Sequence, residues 1–192
     1  GGFSPAAPDL HTIAELYVVR RGLELTALFS PDGHDRHQLE DLRAEWAALD
    51  RPAGGHAADD ADDDAADDAA DDATHTPDID ADDDGGGDPS FVLLDEDFHI
   101  RMAAASGNRS LTEMLARVSE RIRIIRTYDF LTSGRIRQTI DEHLSIVSAL
   151  IDRELKLAER RLNRHLRVSR EIVERRSAAA LSRMVYGGSS GA

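Results

Sequence analysis

The chain has 192 residues, no cysteine and a net charge of −14, which excludes disulfides and thiolate metal sites. Fifteen Asp and no Lys or Arg lie between Pro52 and Ser90; the remaining 22 acids and 23 bases nearly cancel, so overall charge does not point to nucleic acid. No apolar run approaches the roughly 18 residues of a membrane span, and residues 1–8 lack the regions of a signal peptide; the expectation is a cytoplasmic protein with no membrane partner.

Residues 1–8 read as a linker, with two Gly and two Pro and no periodicity, as if following a domain absent from this chain. A helical domain is expected over 9–186. Its first helix opens at Asp9 and carries a stripe of Leu10, Ile13, Leu16/Tyr17, Leu23 and Ala27, with Arg20 inside the stripe. Ser30-Pro-Asp-Gly33 is a turn. The second helix turns Leu39, Leu42, Trp46 and Leu49 to one side and ends before Pro52. Residues 54–89 are rich in Asp and Ala, with Asp pairs repeating every four residues; helical folding would stack like charges. So acidic a tract, poor in apolar side chains, is expected to be a disordered insertion between helices two and three.

The third helix places Phe91, Leu94, Phe98 and Met102 on its inner face, with Asp95 and His99 one position further on, at the face's edge. Gly107 stops it, and Asn108 caps a fourth helix striped by Leu111, Leu115, Val118, Ile122 and Ile125, which also bears Arg117, Arg121, Arg123 and Arg126. After a break at 129–134, the fifth helix turns Ile136, Ile140, Val147 and Leu150 inward, with His143 in that stripe. The sixth, from about Asp152, does the same with Leu155, Ala158, Leu162 and His165, before a tail at 187–192. No β-type alternation of any length occurs; the fold class is all-α.

Three helices thus turn metal-competent groups inward: Asp95 with His99, then His143, then His165. One carboxylate and three imidazoles suit Zn²⁺, Ni²⁺ or Mn²⁺ with open positions for a ligand. Periodicity alone leaves a second reading open, in which each histidine is a core residue with its own hydrogen-bond partner.

The residues Asp95-x-x-Phe98-His99 followed by Ala-Ser-Gly-Asn108 resemble the signature of the FCD domain, the effector-binding and dimerising half of FadR-like regulators in the GntR family of transcription factors. Glu142-His143-x-x-Ile146-x-x-Ala149, Ala158-x6-His165-Leu166 and the upstream Glu15-Leu16-Tyr17-x-x-Arg20-x-x-Leu23-Glu24 are similar to further motifs of that family, in the same order. The resemblance covers roughly 9–51 and 90–170. It implies an antiparallel bundle of six or seven helices around a metal, with Asp95, His99, His143 and His165 as ligands. It implies a small carboxylate effector (a sugar acid, hydroxy acid or dicarboxylate) beside that metal, a homodimer, and operator DNA bound only through an N-terminal winged helix not in this chain. Such a chain senses and is not an enzyme. The chain departs from the family in its acidic insertion and in lacking the usual Gly-Asp turn before the last helix, where Glu154 takes the aspartate's position.

Arg20 reads either as a clamp on the effector carboxylate or as the partner of Glu24 one turn on; the family's arginine at this place favours the clamp. Arg126 and Asn108 are further effector-binding candidates, set against a solvated arginine face and a plain helix cap. The competing function is a metal-dependent hydrolase, in which the zinc would activate water; against it, no extra general base is evident, since Glu96, Asp97 and Glu142 adjoin ligands in sequence but none falls clearly on an inner face.

Overall fold

A computed structural model describes residues 10–50 and 86–187. The expected linker, most of the acidic insertion and nearly all of the tail lie outside the described residues, as does the Asp9 cap.

Six α-helices and two short 3₁₀ turns make up the described chain: α1 Leu10–Leu28, α2 Arg36–Leu49, α3 Val92–Ala104, α4 Arg109–Arg126, α5 Ser133–Ile151 and α6 Leu155–Gly187. The 3₁₀ turns, Pro89–Phe91 and Thr127–Phe130, lead into α3 and out of α4. There is no strand among the described residues, and the protein is an all-α bundle. No described helix is long and apolar enough to cross a membrane.

Local chemistry marks the ends. Between α1 and α2, Gly33 takes φ +78° in a turn closed by its N–H donating to the Ser30 carbonyl at 3.1 Å. Asp35 then caps α2, accepting from the amides of His37 and Gln38. Asn108 caps α4 through Leu111 N–H at 3.1 Å, and Thr132 caps α5 through Arg135 N–H at 3.3 Å. Before α6, where the glycine is missing, Arg153 adopts φ +62° and the Glu154 amide donates to the Ala149 carbonyl at 2.8 Å. The turn survives without glycine, at a cost of roughly 1–2 kcal/mol for a side chain in the left-handed region.

The largest apolar cluster joins α2, α3, α5 and α6 through residues such as Leu42, Trp46, Phe98, Ile146 and Leu162. Each such side chain, fully buried, contributes roughly 1.5–3 kcal/mol. A second cluster links α1, α4 and α6 through Ile13, Tyr17, Ile122 and Val173.

Two inner faces sit differently from expectation. Leu94 is 48% exposed, while Asp95, Phe98, His99 and Met102 are buried. Val92, Glu96 and Ala103 are buried as well, so the inner face of α3 is centred on its polar pair, with Leu94 beyond its edge. Leu49, expected inside, is 44% exposed because α2 ends there.

Candidate metal centre

α3 delivers Asp95 and His99 one turn apart on its buried face, α5 delivers His143, and α6 delivers His165; all four are at most 1% exposed. One ligand-capable atom from each lies within 4.8 Å of every other. The Nε2 atoms of His99 and His165 are 3.2 Å apart, and those of His143 and His165 are 3.3 Å apart. Asp95 Oδ1 lies 3.4 Å from His143 Nε2 and 3.8 Å from His99 Nε2.

The tautomers explain why this convergence is unusual. His99 Nδ1 stands 2.6 Å from Glu24 Oε2, and His165 Nδ1 stands 2.6 Å from Glu142 Oε2. Carboxylates only accept, so both Nδ1 atoms carry a proton, and as neutral imidazoles the two residues turn their Nε2 lone pairs to one another. Two facing lone pairs at 3.2 Å repel unless a positive centre lies between them. Ligands sharing a tetrahedral zinc at about 2.0–2.1 Å are themselves about 3.4 Å apart. The donor set therefore fits a divalent ion, and the two glutamates stand where an outer carboxylate would orient a histidine that held one.

Ionisation agrees with that role. Burial pushes His99 down, against the pull of Glu24, to about 4, so the imidazole is neutral at physiological pH. Burial and the neighbouring His165 and His99 hold His143 well below the ordinary histidine range. Burial alone would raise Glu24 and Glu142. His99 with Arg20 outweighs it at the first, and His165 with Arg135 at the second, holding each at about 2. Neutral imidazoles framed by ionised carboxylates are the states that metal binding needs.

Two buried arginines adjoin this cluster. Arg20 Nε donates to Glu24 Oε1 at 2.6 Å, yet Nη1 and Nη2 of the same guanidinium have no hydrogen-bond partner. The internal pair with Glu24 is thus present and still leaves the outer fork of Arg20 available. Arg126, on a helix whose Arg117 and Arg121 are exposed, is itself fully buried and pairs through Nη2 with Asp95 Oδ2. Burial, with Arg20 nearby, lowers its pKa to about 10, so it stays charged. Its Nε and Nη1 are also without partners. Asp95 therefore faces the imidazoles with one oxygen and Arg126 with the other.

Asn108 is not brought to this cluster. It is exposed, and its side-chain oxygen is engaged in capping α4. Trp46 and Phe98 pack against His143, with ring centroids 4.4 and 3.8 Å away, forming the apolar wall of the site. His143 Nδ1 has no partner.

Sequence reasoning passed over Glu24, Glu142, Arg135 and Asp129 as parts of one network. Glu142 Oε2 also accepts from Arg135 Nη1 at 3.2 Å, and Arg135 Nε donates to Asp129 Oδ1 at 2.9 Å. Glu142 does reach the cluster, contrary to expectation, but as the doubly held partner of His165 and not as a free base. Glu96 is buried and bridged to Arg123, and Asp97 is exposed. The hydrolase reading thus gains no base from these three residues. The question that exposes Glu24 and Glu142 is what the second nitrogen of each ligating histidine would donate to.

Comparison with known sequences follows the same line. The family described as the FCD domain matches residues 36–168, which include all four ligand candidates and leave α1, with Arg20 and Glu24, outside the match. An Nta operon transcriptional regulator from Aminobacter aminovorans is 38% identical over 63 residues, 33% of this chain and 29% of that protein. The matched stretch thus spans less than a third of that relative.

Proposed function

Because the chain belongs to the FCD domain family, a regulatory domain by its kinship to a transcriptional regulator, we propose that it senses a small organic acid at an internal divalent metal. Asp95, His99, His143 and His165 hold the ion, zinc in the first instance, with nickel or manganese compatible with the same donors. The metal supplies a positive centre for a carboxylate or hydroxyl of the effector. Arg20 receives a carboxylate on its outer fork, and Arg126 keeps Asp95 aligned while adding positive charge. The observation that carries this reading is the buried, unpartnered fork of Arg20 beside a cluster of imidazole lone pairs. Unmet buried donors cost about 1–3 kcal/mol each, and a planar anion removes that cost. A module whose polar core groups satisfied one another would show neither feature.

The sensing step changes DNA binding only if the acid favours one packing of the bundle over another. In this proposal the domain works as a cytoplasmic homodimer and passes that preference to an N-terminal winged helix of the full-length regulator. Met114 and Ile124 on α4, 55% and 71% exposed, are apolar surface that a second copy would cover.

The test uses the chain's single tryptophan. Trp46 packs on His143, so a metal at the site alters its fluorescence. A panel of dicarboxylates and hydroxy acids is titrated into zinc-loaded protein while unfolding temperature is followed. A binding acid at 100 times its Kd adds about 2.7 kcal/mol of stability. The same gain should vanish in Arg20→Gln while zinc still perturbs Trp46. Stabilisation equal in Arg20→Gln would remove Arg20 from the site.

A further inference from the structure

The metal ligands and Arg20 are each 0–1% exposed, so an acid needs a way in. Between α1 and α6 runs a groove of about 530 Å³, lined by Arg21, Arg160, Arg164, Arg167 and Arg170 and by no carboxylate. Arg167 and Arg170 lean on Glu171 and Glu174 one turn on. Arg21 is held by the neutral Asn163 side chain at 2.6 Å, and Arg160 and Arg164 make no ion pair among the described residues. Unbalanced positive charge is therefore gathered on one concave surface of a chain whose net charge is −14.

Tyr17 joins that surface to the interior. It lines the groove, yet the Arg20 guanidinium lies 6.0 Å from the centre of its ring. Its hydroxyl is 3.4 Å from Ser169 Oγ, the outer limit of a hydrogen bond, while Ser169 itself donates to Asp129 Oδ2 at 2.5 Å. Tyr17 thus borders both the groove and Arg20, packed in the α1, α4 and α6 cluster with its hydroxyl latched only by this long hydrogen bond.

We propose that the α1/α6 groove is the entry site for the anionic ligand, gathering it by charge at Arg21, Arg160 and Arg164, and that Tyr17 turns aside to pass it to Arg20. This rests on the reading that an acid binds at the metal. Clefts lined by one sign of charge raise association rates 10- to 1000-fold, with steep dependence on ionic strength. A solvated arginine face with no such role would show neither property.

The experiment loads the full chain with Co²⁺ and mixes it rapidly with oxalate as the probe, following the visible cobalt spectrum at low and high salt. The expected association rate falls steeply with salt in the parent. In Arg160→Gln/Arg164→Gln it is about tenfold slower at low salt, with dissociation unchanged within about twofold. Tyr17→Phe, without the latch, should speed association and dissociation together and leave the equilibrium affinity unchanged. A parent rate indifferent to salt and to the double substitution overturns the entry site while leaving the metal reading intact. Unchanged rates in Tyr17→Phe overturn the role of its hydroxyl latch. No oxalate-dependent spectral change in the parent overturns the acid-at-the-metal reading and this proposal with it.

Discussion

The two halves of the buried polar site differ in how far the protein satisfies itself. At the imidazole half, His99 and His165 each give their Nδ1 proton to a glutamate at 2.6 Å, and those glutamates are held in turn by Arg20 and Arg135. At the arginine half, two nitrogens of Arg20 and two of Arg126 are buried without partners. The first half is framed from behind at two of its three imidazoles, His143 Nδ1 alone among them lacking a partner; the second is charged and open. The difference teaches that the fold sets imidazole nitrogens and unpartnered guanidinium donors side by side, the arrangement that the proposed cation and anion would use.

The largest effect separating the halves comes from removing a carboxylate behind a histidine. Glu142→Gln should weaken zinc roughly 10- to 100-fold, measured by competition with a chromophoric chelator. The same substitution should leave Arg20 untouched, so acid binding at saturating zinc is kept. If zinc affinity is unchanged, Glu142 does not orient His165 in the way described.

Acid should act on the imidazole half next. In metal-free protein, His99 titrates at about 4 when folded against an ordinary 6.5, so between those values the unfolded chain holds the extra proton. Stability therefore falls as pH drops from 6.5 towards 4. Glu24 and Glu142, depressed from 4.5 to about 2, contribute fully above 4.5 and lose their contribution as pH falls from there to 2. Both trends have the same sign. Urea unfolding at pH 7, 5.5 and 4 with chelator present checks them, and a midpoint that rises on acidification would contradict the assigned states.

The smallest effect lies outside both halves and serves as the control. Arg153→Gly relieves a side chain at φ +62°, and the gain is offset by the greater freedom of glycine in the unfolded chain. A net stabilisation of about 0.5–1 kcal/mol is expected, with zinc affinity unaltered, by urea unfolding and chelator competition on one sample.

Much of this was legible in the sequence because helices announce themselves by period. The stripes on α1, α4, α5 and α6 placed Arg20, Ile122, His143 and His165 inward, and each is buried. Leu94 misled because the polar Asp95 and Glu96 are buried in its place, satisfied by partners on another helix that periodicity does not report. Glu24 and Glu142 escaped for a related reason. Their partners His99 and His165 lie 75 and 23 residues away, and a pairing of that range depends on tertiary packing. Arg126 shows the same limit: among five arginines on one helix, only packing against Asp95 singles it out.

Equilibrium titration of Co²⁺ into chelator-stripped protein, read by the visible spectrum, tests the centre itself. One equivalent per chain should bind with the intense bands of low-coordinate cobalt, and His165→Ala should lose about 3 kcal/mol of affinity, roughly a hundredfold, as one ligand of four. No saturable binding, or binding of equal strength in His165→Ala, would contradict it.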